Sequence, residues 1–121
     1  MTQDNEKLPG EAYSNNIRAR FWITGTHSGY IGIGRIQLLE KIAEHGSMSQ
    51  AAKSMGMSYK KAWKLIEELN AMYDQPLIIK AKGGKSGGGS VLTEKGLKVI
   101  QNFKHVEQEL QQLLVKLSAG L

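Results

Sequence analysis

A chain of 121 residues with sixteen basic and eleven acidic side chains can enclose one modest core, and its hydrophobic content is that of a soluble globular domain. It has no cysteine, which excludes disulfides, and no apolar run reaches the length of a membrane span or follows a signal-peptide pattern; no membrane partner is expected, and the cytoplasm is the expected location. The net charge of +5 is concentrated, because residues 34–98 carry eleven basic against six acidic side chains while the segments on either side are balanced.

Residues 1–17 are polar, contain Pro9 and Gly10 and show no periodicity, so a mobile arm is expected there. From Arg18 to Thr24 alternation puts Ala19, Phe21 and Ile23 on one face and Arg18, Arg20 and Trp22 on the other, the pattern of a half-buried strand. The loop Gly25–Gly29 leads to Tyr30–Ile33, a candidate hairpin partner. Residues 35–45 then place Ile36, Leu39, Ile42 and Ala43 at helical spacing, and Gly46 is a stop signal. His45, like His27 and His105, has no histidine, cysteine or carboxylate at metal-ligand spacing. A surface or capping role is expected for it, and no metal or cofactor is expected in the chain.

Residues 46–69 read as two helices joined by a tight turn. Ser47 or Ser49 can cap the first, Ala51, Ala52 and Met55 form its small apolar face, Gly56 breaks it, and Ser58 can cap the second. Alanines suit two helices that must approach closely across so short a turn. Stepping about 100° per residue from Tyr59 clusters Ala62, Ile66, Leu69 and Tyr73 on one side and Lys60, Lys61, Lys64 and Glu68 on the other. Trp63 falls about 40° from Tyr59, at the boundary, where it is expected to pack at the edge of the core rather than read bases. Lysines on an outer helix face are often only solvated; here they lie on the second helix of a helix-turn-helix pattern, the element that enters a DNA major groove.

After Asp74-Gln75-Pro76, Leu77–Lys82 has strand character, Gly83–Gly89 is a glycine-rich loop, and Ser90–Thr93 can return antiparallel. A hairpin after a helix-turn-helix makes a winged helix. The loop's glycines would let its backbone lie close to phosphates or in a minor groove, with Lys80, Lys82 and Lys85 adding charge. Gly84-Lys85-Ser86 imitates the end of a Walker loop, but Ile79 stands where that motif needs glycine and a strand follows where it needs a helix. Thr93-Glu94 can start a last helix running to about Ala119, in which Val99, Phe103, Val106, Leu110, Leu113 and Leu117 recur at spacings of 4, 3, 4, 3 and 4. Such a heptad seam is expected to pair with a second copy, with the N-terminal strand covering part of it.

The fold expected is α+β, mainly α: a winged helix-turn-helix over residues 18–92 with an N-terminal β-hairpin, followed by a long dimerisation helix over residues 93–121. The expected DNA-binding residues are Ser47, Ser49, Gln50, Ser58, Tyr59, Lys60, Lys61, Lys64, Lys80, Lys82, Lys85, Ser86, Gly87 and Gly88. The expected partners are double-stranded DNA and a second copy of the chain. A dimeric winged-helix scaffold for protein interaction is the alternative, whereas an enzyme lacks any constellation of nucleophile, base and orienting group.

The segments Gly46–Ala52, Ser58–Trp63, Gln75–Ile78, Gly83–Gly89 and Leu92–Gly96 resemble the N-terminal DNA-binding domain of ModE-type molybdate-responsive regulators and, more distantly, LysR-type winged helices. The Ser58-Tyr-Lys-Lys-Ala-Trp63 helix with a glycine-rich wing marks the former. The resemblance covers about residues 18–97 and implies a homodimeric transcriptional regulator. ModE-type proteins carry molybdate-binding regions after the dimerisation helix, whereas this sequence ends at Leu121, so molybdate is not expected to bind this chain.

Overall fold

A computed structural model of the chain describes residue 14 and residues 16–81 and 89–121. Among these the elements run β1 (Ile23–Thr24), β2 (Tyr30–Ile31), α1 (Ile33–His45), α2 (Met48–Ser54), α3 (Tyr59–Asn70), β3 (Ile78–Lys80), β4 (Ser90–Leu92) and α4 (Glu94–Ser118). Helix α1 lies centrally, touching β2, α2, β4 and α4. It sends Ile33, Ile36, Leu38, Leu39 and Ile42 into the core. Burying such side chains stabilises the fold by about 1.5–3 kcal/mol each, which is why α1 is the support that the other helices pack on. Ala43, expected on its inner face, is exposed, and Leu38 is buried instead. The inner face is centred closer to Leu38 and Leu39 because α1 has neighbours on more than one side.

The helix-turn-helix forms from local signals. Ser47 caps α2 by accepting from the backbone N–H of Gln50 at 3.2 Å, and Ser58 caps α3 by accepting from that of Lys61 at 3.0 Å. Ser49 therefore sits inside α2. Between the helices Gly56 adopts φ 69°, a left-handed conformation that glycine enters without strain. Ala51, Ala52 and Ala62 are essentially inaccessible, and a larger side chain at any of them would push the helices apart. Helix α3 ends at Asn70, so Tyr73 lies beyond it and is only half-buried, while Met72 takes the buried position.

Strands β3 and β4 form an antiparallel ladder with Ile79 opposite Val91, the base of a wing. Thr93 donates from its hydroxyl to the carbonyl of Pro76 at 2.8 Å and caps α4 by accepting from Gly96 N–H at 2.9 Å. A side chain at Gly96 would meet the Leu77 carbonyl at 2.4 Å, so α4 starts where only glycine fits against the wing. The wing tip, including the expected site residues Lys82, Lys85, Ser86, Gly87 and Gly88, lies outside the described residues.

Two expectations about the chain's ends are corrected. Residues 17–25 do alternate between half-buried and exposed, yet only Ile23 and Thr24 pair as strand, with Ile31 and Tyr30. The rest of that face packs on α4: Phe21 stacks on Phe103 with ring centroids 4.6 Å apart, and Asn16 donates to the Ser118 hydroxyl and carbonyl, each at 3.2 Å. Residues 16–23 are thus a strap along α4, and of the expected arm residues 1–13 and 15 lie outside the described residues. The heptad seam is also divided. Val99 and Phe103 are buried in the chain's own core, whereas Val106, Leu113 and Leu117 are exposed and Leu110 is half-buried. The first turns of α4 face α1, and the bundle ends before the helix does.

Candidate nucleic-acid interface

Helix α3 is held on one side and bare on the other. Ala62, Ile66 and Leu69 anchor it in the core, and opposite them Tyr59, Lys60, Lys61, Lys64, Glu67 and Glu68 are exposed. Glu68 is engaged: its Oε1 lies 2.9 Å from Arg35 Nη2 of α1, and the same guanidinium stands over the Tyr30 ring at 5.8 Å. Lys60, Lys61 and Lys64 make no ion pair among the described residues. Three uncompensated ammonium groups within two helical turns make a positive surface, bordered on α1 by Arg35, whose charge Glu68 matches.

A groove of about 320 Å³ separates this face from the wing. It is lined by Ser47, Met48 and Ser49 at the start of α2, by Tyr59, Trp63 and Asn70 of α3, and by Ile79, Lys80 and Ser90 of the wing base. Asn70 fixes its width. Its Oδ1 accepts from the N–H groups of Leu77 and Ile78 at 2.8 and 3.0 Å, and its Nδ2 donates to the Ile78 carbonyl at 3.0 Å. One amide side chain thereby clamps the end of α3 to β3, and a second tie runs from Ser90 N–H to the Gly46 carbonyl at 3.1 Å. Helix and wing are positioned as a pair, as a surface that straddles a duplex backbone requires.

Of the sequence-expected site residues, Ser58, Tyr59, Lys60, Lys61 and Lys64 fall together on the outer face of α3, with Ser49, Gln50 and Lys80 exposed nearby. Ser47 is half-buried and its hydroxyl is occupied by capping. Sequence reasoning missed Arg35 and Asn70. Asn70 falls about 20° from Tyr59, at the boundary between the faces, where periodicity assigns it no role; Arg35 carried no signal, because its proximity to α3 is tertiary.

Residues 33–97 match the profile of the bacterial regulatory helix-turn-helix proteins, lysR family. The chain belongs to that family. As a LysR-family regulatory domain it is not an enzyme, and the matched span begins at the first residue of α1 and ends in the first turn of α4, so it covers the winged helix. Similar proteins include the molybdenum-pterin-binding protein MopA of Rhodobacter capsulatus, 42% identical over 75% of this chain and 34% of its own length. The molybdenum transport protein ModE of Azotobacter vinelandii is 40% identical over 72% of this chain and 32% of its own. The DNA-binding transcriptional dual regulator ModE of Escherichia coli K12 is 46% identical over 69% of this chain and 32% of its own. The chain thus spans about a third of the length of the curated relatives it matches. No helix among the described residues is long and apolar enough to cross a membrane.

Proposed function

We propose that the chain is a sequence-specific double-stranded DNA-binding module of a cytoplasmic transcriptional regulator, and that it works as a homodimer. Helix α3 lies in the major groove with Ser58, Tyr59, Lys60, Lys61 and Lys64 toward the bases and phosphates. Ser47, Ser49 and Gln50 approach the adjoining backbone, and the wing, with Lys80, Lys82, Lys85, Ser86, Gly87 and Gly88, approaches the backbone or minor groove. The observation that carries this reading is the bare lysine face of α3, held rigidly by two capped helices and clamped to the wing by Asn70. Molybdate binding by this chain is not proposed.

The exposed half of α4 supports the dimer. Val106, Leu110, Leu113 and Leu117 from two copies, each gaining about half of the 1.5–3 kcal/mol of full burial, would contribute on the order of 6–12 kcal/mol. That is close to the association cost of about 4–15 kcal/mol, so the dimer is expected to depend on concentration and to be strengthened by DNA. Selection of bound sequences from a random duplex pool, followed by footprinting, tests the whole reading. The expected result is an inverted repeat with half-sites about 34–36 Å, or a multiple of that, apart. Enrichment of no sequence, with an affinity independent of salt, would instead favour a protein-interaction scaffold.

A further inference from the structure

The lysine face of α3 also carries two large aromatic side chains with little apolar cover. Tyr59 is 53% exposed and Trp63 40% exposed, on a helix whose Ala62, Ile66 and Leu69 are buried. Both rings line the outer face together with Lys60 and Lys64, and both also border the groove toward the wing. Tyr59 is the first residue of α3, directly after the Ser58 cap, and the N-terminal residues of a recognition helix are those that reach base edges. Trp63 follows four residues on, displaced by about 6 Å along the axis and about 40° around it.

In the major groove the base edges present hydrogen-bonding groups and one kind of apolar group, the C5-methyl of thymine. Lysine suits the guanine acceptors, whereas an aromatic ring suits the methyl. Resting on the DNA-binding reading above, we infer that Tyr59 and Trp63 are specificity-determining residues that pack on thymine C5-methyl groups. A rise of about 6 Å against about 3.4 Å per base step sets the two methyls about two steps apart. Trp63, expected from its angle to pack at the edge of the core rather than read bases, is instead 40% exposed, which leaves its ring available for readout.

The test replaces thymine by deoxyuridine, one position at a time, in a duplex selected by the protein from a random pool. The rest of the Watson–Crick and major-groove hydrogen-bonding pattern is unchanged. The unmodified protein is expected to lose about three- to fivefold in affinity at each of two positions, the worth of one buried methyl group. Tyr59→Ala should abolish the loss at one position and Trp63→Ala at the other. Each ratio compares two probes on one protein sample, so partial unfolding of a variant cancels, and Trp63→Phe should retain part of the effect. Equal affinity of the unmodified protein for thymine and deoxyuridine at every position would overturn the inference while leaving DNA binding intact. An affinity loss in Trp63→Ala and Tyr59→Ala that leaves the thymine-to-uracil ratios unchanged would also overturn it, assigning the rings to the sugar-phosphate backbone. A pool that yields no preferred sequence would remove the DNA reading itself, and the inference with it.

Discussion

The outer face of α3 and the outer face of the far half of α4 are both left uncovered by the described residues, but they are bare in opposite ways. On α3 the exposed groups are Lys60, Lys61 and Lys64, whose charge water already solvates well; a partner gains there by exchanging condensed counterions for lysines. On α4 they are Val106, Leu113 and Leu117, between 42% and 53% exposed, and a partner gains there by removing apolar surface from water. The two surfaces should therefore answer to different variables. Salt weakens the first and leaves the second intact, and a charge placed on the second leaves the first intact.

The largest effect that sharpens this contrast lies in the near half of α4. Phe103 is 1% exposed and stacks on Phe21, so Phe103→Ala is expected to cost about 3–5 kcal/mol of monomer stability, read by denaturant unfolding and independent of protein concentration. In the far half the same heptad pattern has no such role. Leu113→Asp should leave the monomer folded, because Leu113 is 50% exposed, yet place an unpaired charge in the pairing stripe at a cost of several kcal/mol to the dimer. Sedimentation should show monomer at concentrations where the unmodified chain dimerises. Unfolding of the Leu113→Asp monomer would erase the distinction between the two halves.

A smaller effect tests the coupling of helix to wing. Asn70→Ala leaves the N–H groups of Leu77 and Ile78 and the Ile78 carbonyl without their partner, at a cost of about 1–3 kcal/mol. DNA affinity measured below the melting transition should fall as well, because the groove between α3 and the wing loses its clamp. The smallest effect is alkaline. Burial raises the pKa of Tyr73 above its ordinary 10.0, so its folded value exceeds its unfolded one. The stability linked to it is complete below the unfolded value and is lost as pH rises through the folded one. Tyr73→Phe should flatten that slope in a melting-temperature series taken above pH 9, leaving neutral stability little changed.

The helix-turn-helix was legible because its determinants are local. Ser47, Gly56 and Ser58 each act within three or four residues, and the period of α3 sorts Ile66 from Lys64 without knowledge of any neighbour. The winged hairpin was legible for the same reason. What the sequence left undivided was the heptad stripe of α4, because Val99 and Val106 look alike until the end of the bundle and the Asn16–Ser118 clasp are known. The N-terminal strap shows the converse. Its alternation and its cover of part of the α4 stripe were as expected, whereas strand pairing beyond Ile23 and Thr24 did not form, since a half-buried face at Phe21 is satisfied equally by a strand or by a helix such as α4. In the interface, the lysines announced themselves by periodicity; Asn70 did not, because its clamp depends on how the chain turns back after α3, and Arg35 did not, because its tie to Glu68 joins two helices 33 residues apart in the chain.

The central claim is that the bare lysine face of α3 binds the phosphate backbone and grooves of a duplex, and the dependence of the dissociation constant on salt tests it most directly. A random-sequence duplex is titrated between about 50 and 200 mM salt with the unmodified chain and with the triple variant Lys60→Ala, Lys61→Ala, Lys64→Ala. Each phosphate contact contributes about −0.9 to the slope of log K against log salt, so the variant is expected to bind more weakly with a slope flatter by about two to three. Equal slopes and affinities for the two proteins, or no salt-dependent binding by the unmodified chain, would contradict the account.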